Sequence, residues 1–587
     1  MSSRAFLRGS LAALLALPFA ICAAGAASPV GSSNVATADP AVPRPPGTPC
    51  VVPLFSGVSF DDFSPRTYSY APPAHCKGPW AKVVLTADFS VNAGRQYDRT
   101  ASLWLAGVNL YFGTTEEPSS TVAPSWHVER DLTDYSALLR QAGQGQAVIG
   151  NVVNATYTGV ITGSAELLFY PASVWAPPPR VPDQIYPLGS DPVGSTAALD
   201  GSGDLLSRTL SLPRNVERAY LDVFAQSQNN DEFWYTCVPD AYAAQTQDCG
   251  GGNFRETEVS IDGTPAGVAP IYPWIYTGGI DPYLWRPTPG VQTLNFMPYR
   301  VDLTPFAGLL SDGNPHTVAL SVAGANHYFS ATATLLVYQD KRARQITGAI
   351  TRNTLTAQSP PVPTIGSTLV GGASGSVTGQ VSTALRRHFV IEGYADTSHG
   401  RVVSSVDATV GFSNTQQFTI DSSHYDQGIV QDTTAHSVSR SSLGGVLAGR
   451  YAQDVDYPLN LQYDQDTQAD GSIDVSTTVK QGLRQHRERA LFGVRLYASD
   501  IGNDIASADT LHYDASGNYT GHDGQASTQR YVFRDSLGGC YRSELSSQAG
   551  VVTADTSGKG CPGGNNRVLW FTHPDASPDN GSTVLGW

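Results

Sequence analysis

Charge is sparse in this sequence: aspartate, glutamate, lysine and arginine together make up 15% of its 587 residues. Helix bundles and coiled coils carry charge-rich surfaces, so this scarcity argues against both. The basic residues are the scarcer, which leaves a formal charge of -15 and argues against nucleic acid or an anionic membrane as partner. The chain has no CxxC and no HExxH, so neither a metal site nor a cofactor is expected. Glycine runs such as Leu443 to Gly449 do not lead from a strand into a helix, as a phosphate cradle would. The serines and histidines suggest no triad; His127 and His327 stand isolated. Beyond the N-terminus no run is apolar and long enough to span a bilayer.

Gly (58), Pro (39), Tyr (27) and Phe (20) are plentiful, the composition of turn-rich β structure. The length exceeds what one core supports, so several domains are expected. At the N-terminus Arg4 and Arg8 precede an apolar run from Leu11 to Ile21 and a small-residue site at Ala24-Gly25-Ala26. This reads as a cleaved signal peptide over 1–27, implying a secreted or periplasmic protein. The run is short for a membrane anchor, and Ile21 is too bulky for a lipoprotein signal at Cys22. Six further cysteines fall in neighbouring couples: Cys50 with Cys76, Cys237 with Cys249, Cys540 with Cys561. In an exported chain these read as disulfides, each stapling a local loop.

A linker is expected over 28–48. Between there and residue 340 four blocks recur in order. "KVVLTADFS" (82–90) matches "RAYLDVFAQS" (218–227), and "RTASLWLAGV" (99–108) matches "RETEVSIDGT" (255–264). "RDLTDYSALL" (130–139) matches "VDLTPFAGLL" (301–310), and "GVITGSAELLFY" (159–170) matches "YFSATATLLVY" (328–338). Alternation with period two says antiparallel sheets, and the size of each unit suits a jelly roll. The fold class is therefore all-β: two tandem jelly-roll-like sandwiches, 49–192 and 193–340, and a C-terminal β-rich domain, 341–587. The Asp-Leu-Thr segments are the exception and read as short helical turns.

The second copy carries an insertion from Asn229 to Asn253, opening with "NNDEFWYT" (229–236). Amides and acids running into three rings beside a pinned loop suit a carbohydrate site: rings stack on sugar faces while carboxylates and amides bond hydroxyls. Four acids stand out. Asp98, between Tyr97 and Arg99, is a catalytic carboxylate with an adjacent charge partner, or a surface turn acid. Glu129 is a second carboxylate, or an acid stabilised at a helix start. Glu232 is preferred to Asp231, since Asn230 and Asp231 are natural turn formers. Glu256 shares a strand face with Glu258 and reads equally as solvated.

"PRNVERAYLDVFAQSQNNDEFWYTCVPD" (213–240), "IYPWIYTGGIDPYLWRPTPG" (271–290), "YRVDLTPFAGLLSDGNPH" (299–316) and "GRQYDRTASLWLAGVNL" (94–110) resemble the acidic, plant-type (type A) peptide-N-glycanases. A more distant likeness is to the bacterial type F enzyme, which is built from two jelly rolls. The type F aspartate-arginine pair resembles Asp98-Arg99, and a glutamate before an Asp-x-Thr-Asp segment resembles Glu129. The third type F glutamate has no counterpart: Gly250, Gly251 and Gly252 stand before Phe254-Arg255, and Glu232, ahead of Glu256, is the candidate to reach that space from elsewhere. The resemblance implies hydrolysis of the amide joining an N-glycan to asparagine in glycosylated peptides or proteins. It implies catalytic roles for Asp98, Glu129 and Glu232, with Arg99, Asp231 and Glu256 as binding residues and Trp234, Tyr235 and Trp285 as ring walls. A glycan-binding lectin or adhesion protein and a secreted glycoside hydrolase are the alternatives.

Overall fold

The computed structural model describes residues 30–371 and 375–579. The signal peptide expected over 1–27 lies outside the described residues. Eight strands form the first sandwich: β1 (Cys50–Phe60), β2 (Arg66–Tyr70), β3 (Trp80–Val91), β4 (Thr100–Leu105), β5 (Val108–Thr114), β6 (Ser125–Asp131), β7 (Gly143–Ile149) and β8 (Ile161–Pro171). Their two antiparallel sheets have the orders β1-β8-β3-β6 and β2-β7-β4-β5. A short β9 (Gln184–Pro187), from the proline-rich connector, pairs with the last strand of the next unit. That unit holds β10 (Ala197–Gly201), β11 (Leu206–Ser211), β12 (Val216–Ser227), β13 (Glu256–Ile261), β14 (Thr264–Pro270), β15 (Tyr299–Asp302), β16 (Pro315–Ala323) and β17 (Asn326–Gln339). Its sheets run β10-β17-β12-β15 and β11-β16-β13-β14, the first pattern with every strand advanced by nine. The four sequence matches fall on equivalent elements: β3 and β12, β4 and β13, the turns after β6 and β15, β8 and β17.

The alternation has its cause in this duplication. Along β8 every second residue faces the core, from Ile161 through Gly163, Ala165 and Leu167 to Phe169. β3 departs from it because both its faces are covered: Val83, Leu85 and Phe89 enter the sandwich, while Val84 packs on Val42 and Tyr170. The repeated Asp-Leu-Thr is a turn device. Asp131 Oδ1 accepts the Thr133 N–H at 3.0 Å, and Asp302 Oδ1 accepts that of Thr304 at 2.9 Å, each opening a 3₁₀ turn.

The two sandwiches are tied directly to each other. The Thr114 N–H donates to Thr293 O at 2.9 Å and the Tyr111 hydroxyl to Leu294 O at 2.6 Å. Arg300 bridges Asp134 of the first unit, at 2.6 Å, and Asp222 of the second, at 2.7 Å. Phe112 sits against both Phe224 and Phe296.

The C-terminal region is a 12-stranded sheet of long hairpins. One face backs the second sandwich. Phe412 packs on Trp234 and Phe254, Tyr457 on Tyr272, and Gln481 Nε2 donates to Pro273 O at 2.7 Å. Ser507 donates to Leu284 O. The sheet thus supports the loops over 229–254 and 271–291. Residues 30–48, expected as a linker, are instead a packed strap: Ala36, Ala38 and Val42 are buried, and Asp39 accepts from Asn503 at 2.8 Å and Gln529 at 3.0 Å. Alanine and proline are frequent in linkers, but here the small side chains fit a narrow groove. The three neighbouring cysteine pairs are bonded. No helix of the described residues is long and apolar enough to cross a membrane.

Candidate active site

Strand register builds the site. In the β4–β5 hairpin Thr100 pairs with Thr114. The ladder continues one step, with the Arg99 N–H donating to Thr115 Oγ1 at 2.9 Å and the Thr115 N–H to Arg99 O at 2.9 Å. The residues just before and just after that hairpin are therefore neighbours: Asp98 on one arm, Glu116 and Glu117 on the other. The Asp98 N–H donates to Glu117 Oε1 at 3.2 Å. Glu232, from the insertion of the second sandwich, acts on the same Asp98 carboxylate.

The floor comes from the second sandwich. Gly278 lies so close that a β-carbon there would stand 2.7 Å from Asp98 Oδ1 and would overlap Glu117. Thr277 Oγ1 donates to Thr115 O at 2.6 Å, and Arg286 pairs with Glu117 at 3.2 Å. The same segment is held from behind by Trp285, whose indole N–H donates to Gly279 O at 2.9 Å. Tyr97, exposed beside Asp98, meets Tyr157 at 5.4 Å between ring centres, with the Arg95 guanidinium over both rings. Half-buried Phe233 reaches Gly279 from the insertion.

Crowding four carboxylates into this space sets their protonation. Burial, then repulsion by Glu117 and Glu232, pushes Asp98 up to about 7, against the pull of Arg99. Burial raises Glu116 to about 8, and one oxygen of this acid has no hydrogen-bond partner. Glu117 is raised by burial in spite of Arg286, and Glu232 is raised by burial. These acids cannot all be ionised near neutrality, so the cluster holds protons beside carboxylate, the combination that acid–base catalysis needs.

The other expected residues take different places. Glu129 accepts from the Val42 N–H at 2.8 Å and pairs with Arg44 at 2.5 Å and His127 at 3.1 Å. It lines a separate cavity between the strap, β6 and the C-terminal sheet, which includes none of Asp98, Glu117 and Glu232. Asp231 is fully buried, paired with Arg255 at 2.6 Å and accepting the N–H groups of Asn326 and Tyr328. It fixes the base of the insertion and cannot meet a ligand. Glu256 is buried against Arg387 of the C-terminal sheet. Trp234, Tyr235 and Trp285 are wholly enclosed, so they are core rings and not ring walls. The opening motif thus splits: Asp231, Trp234 and Tyr235 anchor the loop, while Glu232 and Phe233 face the cluster. Glu116, Glu117, Gly278 and Arg286 were not singled out in the sequence.

The raised acids carry a stability consequence. A folded-state carboxyl near 7 or 8 keeps its proton after the unfolded chain has released its own near pH 4. The native form then binds more protons than the unfolded form. Its extra stability is present below about pH 4 and is lost as pH rises through about 8. Asp39, raised by burial to about 6, and His127, raised to about 9 mainly by Glu129, act in the same direction. Asp131, held at about 2 chiefly by Lys82 against the effect of burial, works below this window. Thermal melts should give a higher Tm at about pH 5 than at about pH 8; a higher Tm at the alkaline value contradicts these protonation states.

Residues 50–356, just over half of the chain, match the family model "Peptide N-acetyl-beta-D-glucosaminyl asparaginase amidase A". Peptide-N4-(N-acetyl-beta-glucosaminyl)asparagine amidase A of Prunus dulcis is 26% identical over 529 residues, covering 85% of this chain and 87% of that protein. Among solved structures, PNGF-II aligns over 49% of this chain and 65% of its own, at TM-score 0.34 and 13% identity. A crystal structure of peptide-N(4)-(N-acetyl-beta-D-glucosaminyl) asparagine amidase aligns over 49% and 95%, at TM-score 0.31 and 14% identity. By the extent of the family match, this chain belongs to the peptide N-acetyl-beta-D-glucosaminyl asparaginase amidase A family.

Proposed function

We propose that this protein hydrolyses the amide bond between an N-glycan and its asparagine, in glycosylated peptides or proteins, using Asp98, Glu117 and Glu232. The observation that carries this reading is the packing of Asp98 and Glu117 of the first sandwich over the bare backbone of Gly278 of the second, with Glu232 of the second sandwich repelling the Asp98 carboxylate. In the proposed step, water attacks the carboxamide carbon and the Asp98 carboxylate takes its proton. The carbon–nitrogen bond then breaks, and a proton held by the cluster passes to the leaving nitrogen. Glu232, reaching in from the second sandwich, is assigned to that delivery. Arg99, half-buried and acting on the Asp98 carboxylate, is assigned to stabilise the oxyanion. The products are an aspartate peptide and a glycosylamine, which loses ammonia in water. The exposed Tyr97 ring and the half-buried Tyr157 ring beside it are suited to stack on the first sugar. The three disulfides and the basic-apolar N-terminus support an exported protein.

Mass spectrometry of a defined N-glycopeptide tests this directly. The expected products are free glycan and a peptide in which asparagine has become aspartate. A peptide that keeps one N-acetylglucosamine indicates a glycoside hydrolase, and an unchanged peptide that remains bound indicates a lectin; either result overturns the proposal.

A further inference from the structure

The C-terminal sheet has two unlike ends. Its antiparallel hairpins turn alternately at one end and the other, which makes one end a control for the other. At the first end the turns after Leu443, Leu491 and Asp535 lie side by side: Gly449 pairs with Leu491, the Phe492 N–H donates to Ala448 O, and the Ser536 N–H to Ala498 O. These turns hold Val446, Phe492 and Val494, which are 63%, 60% and 64% exposed, beside the exposed Leu443, Leu447 and Leu537. Arginines flank them: Arg440 and Arg450, which pair with Asp407 and Glu488, then Arg489 and Arg495, and Arg534 beside Asp535, so that basic residues outnumber acids at this end. Asp340 accepts the Ser398 N–H at 2.6 Å, which brings the exposed Lys341, Arg342 and Arg344 to the same end.

At the other end the turns cover 421–423, 468–472 and 514–518. They contain Asp421, Asp470 and Asp514, with Asp464, Asp466 and Asp474 on the adjoining strands, and no lysine or arginine. No large aliphatic side chain is exposed at these turns. Single exposed apolar residues, such as Val370 beside the acidic end, are ordinary, but a row of them at adjacent turn tips on the basic end of an acidic protein is not.

We propose that this basic, apolar-tipped end of the C-terminal sheet docks on an anionic lipid surface. Projecting Leu, Val and Phe side chains on separate turns can enter the fluid boundary between headgroups and acyl chains, where no matching rigid surface is needed. The flanking arginines supply attraction to anionic headgroups. A nucleic acid would engage the arginines but gives the apolar tips no partner. The overall charge of -15 disfavours such a surface, so docking must be oriented, with the acidic end held away. This inference is independent of the reaction proposed above.

The test is cosedimentation of the full-length exported protein with vesicles of phosphatidylcholine, with and without phosphatidylglycerol. Binding is expected with phosphatidylglycerol only, and added salt should release it. Val446→Asp with Phe492→Asp should lower the bound fraction about tenfold or more, and Arg495→Glu with Arg534→Glu should lower it comparably. Because all four positions are exposed, unchanged melting and unchanged glycopeptide turnover would show that the variants are folded. Absence of vesicle binding, binding that the tip substitutions leave intact, or a dimer in sedimentation velocity that those substitutions dissolve would each overturn the proposal.

Discussion

Asp98→Asn is expected to lower the turnover of an N-glycopeptide by ~10²–10⁴-fold while changing KM little. Asparagine keeps the shape of the side chain and removes the proton acceptor. The structure adds a second readout that separates catalysis from structure. Asp98 is raised to about 7 because it is buried and faces Glu117 and Glu232, so ionising it costs the folded protein. A neutral side chain relieves that repulsion, and the variant should melt no lower than the parent, and higher at about pH 8. Were Asp98 only a structural anchor, loss of activity would come with loss of stability. Near-normal turnover with an unchanged melt would remove Asp98 from the reaction, and Glu117→Gln would then be the variant to examine.

The duplication was readable from residues because β-sandwich cores impose a period of two, and because Asp-Leu-Thr repeats a side-chain-to-backbone turn that few other residues make. The pairing of Cys237 with Cys249 was readable because short loops close easily. What the sequence obscured was direction. "NNDEFWYT" reaches the candidate site, but successive residues of its helical turns fan around the turn axis and do not alternate, so Asp231, Trp234 and Tyr235 enter the core while Glu232 and Phe233 do not. Glu129 drew attention through its neighbours in sequence, and its partners turned out to be Arg44 of the strap and His127. Glu116 and Glu117 could have been found. Counting outward along the β4–β5 hairpin from the tight turn at Ala106-Gly107 sets Asp98 across from Thr115, next to Glu116, and the bulge between Leu103 and Trp104 moves the register one residue further, to Glu116 itself. Gly278 and Arg286 had no such signal, since their approach to Asp98 and Glu117 depends on how one sandwich meets the other.

Gly278→Ala should remove most of the activity without touching an ionisable group. Its backbone conformation is open to any residue, so the effect is one of space alone. The added methyl would stand 2.7 Å from Asp98 Oδ1 and collide with the Glu117 carboxylate. The backbone that carries Gly278 cannot retreat easily. Thr277 is bonded to Thr115 O at 2.6 Å, Arg286 holds Glu117, and Trp285 holds Gly279 O at 2.9 Å. Behind them the C-terminal sheet fixes the segment through Gln481 on Pro273 and Val291, and through Ser507 on Leu284. The carboxylates must therefore move, and a displacement near 1 Å in an acid–base pair costs about 10²-fold in kcat/KM. Overpacking should also cost about 1–3 kcal/mol of stability. Gly279→Ala is the matched control: its nearest neighbours, Tyr276 O at 3.2 Å and Phe233 at 3.3 Å, require only a small adjustment, and neither carboxylate is among its closest contacts. Equal activities of the two variants would mean that the reacting carboxylates do not sit over Gly278. A large loss in Gly278→Ala alone, with its melt still cooperative, would locate the chemistry where the two sandwiches meet, with the C-terminal sheet as the support that keeps that floor from yielding.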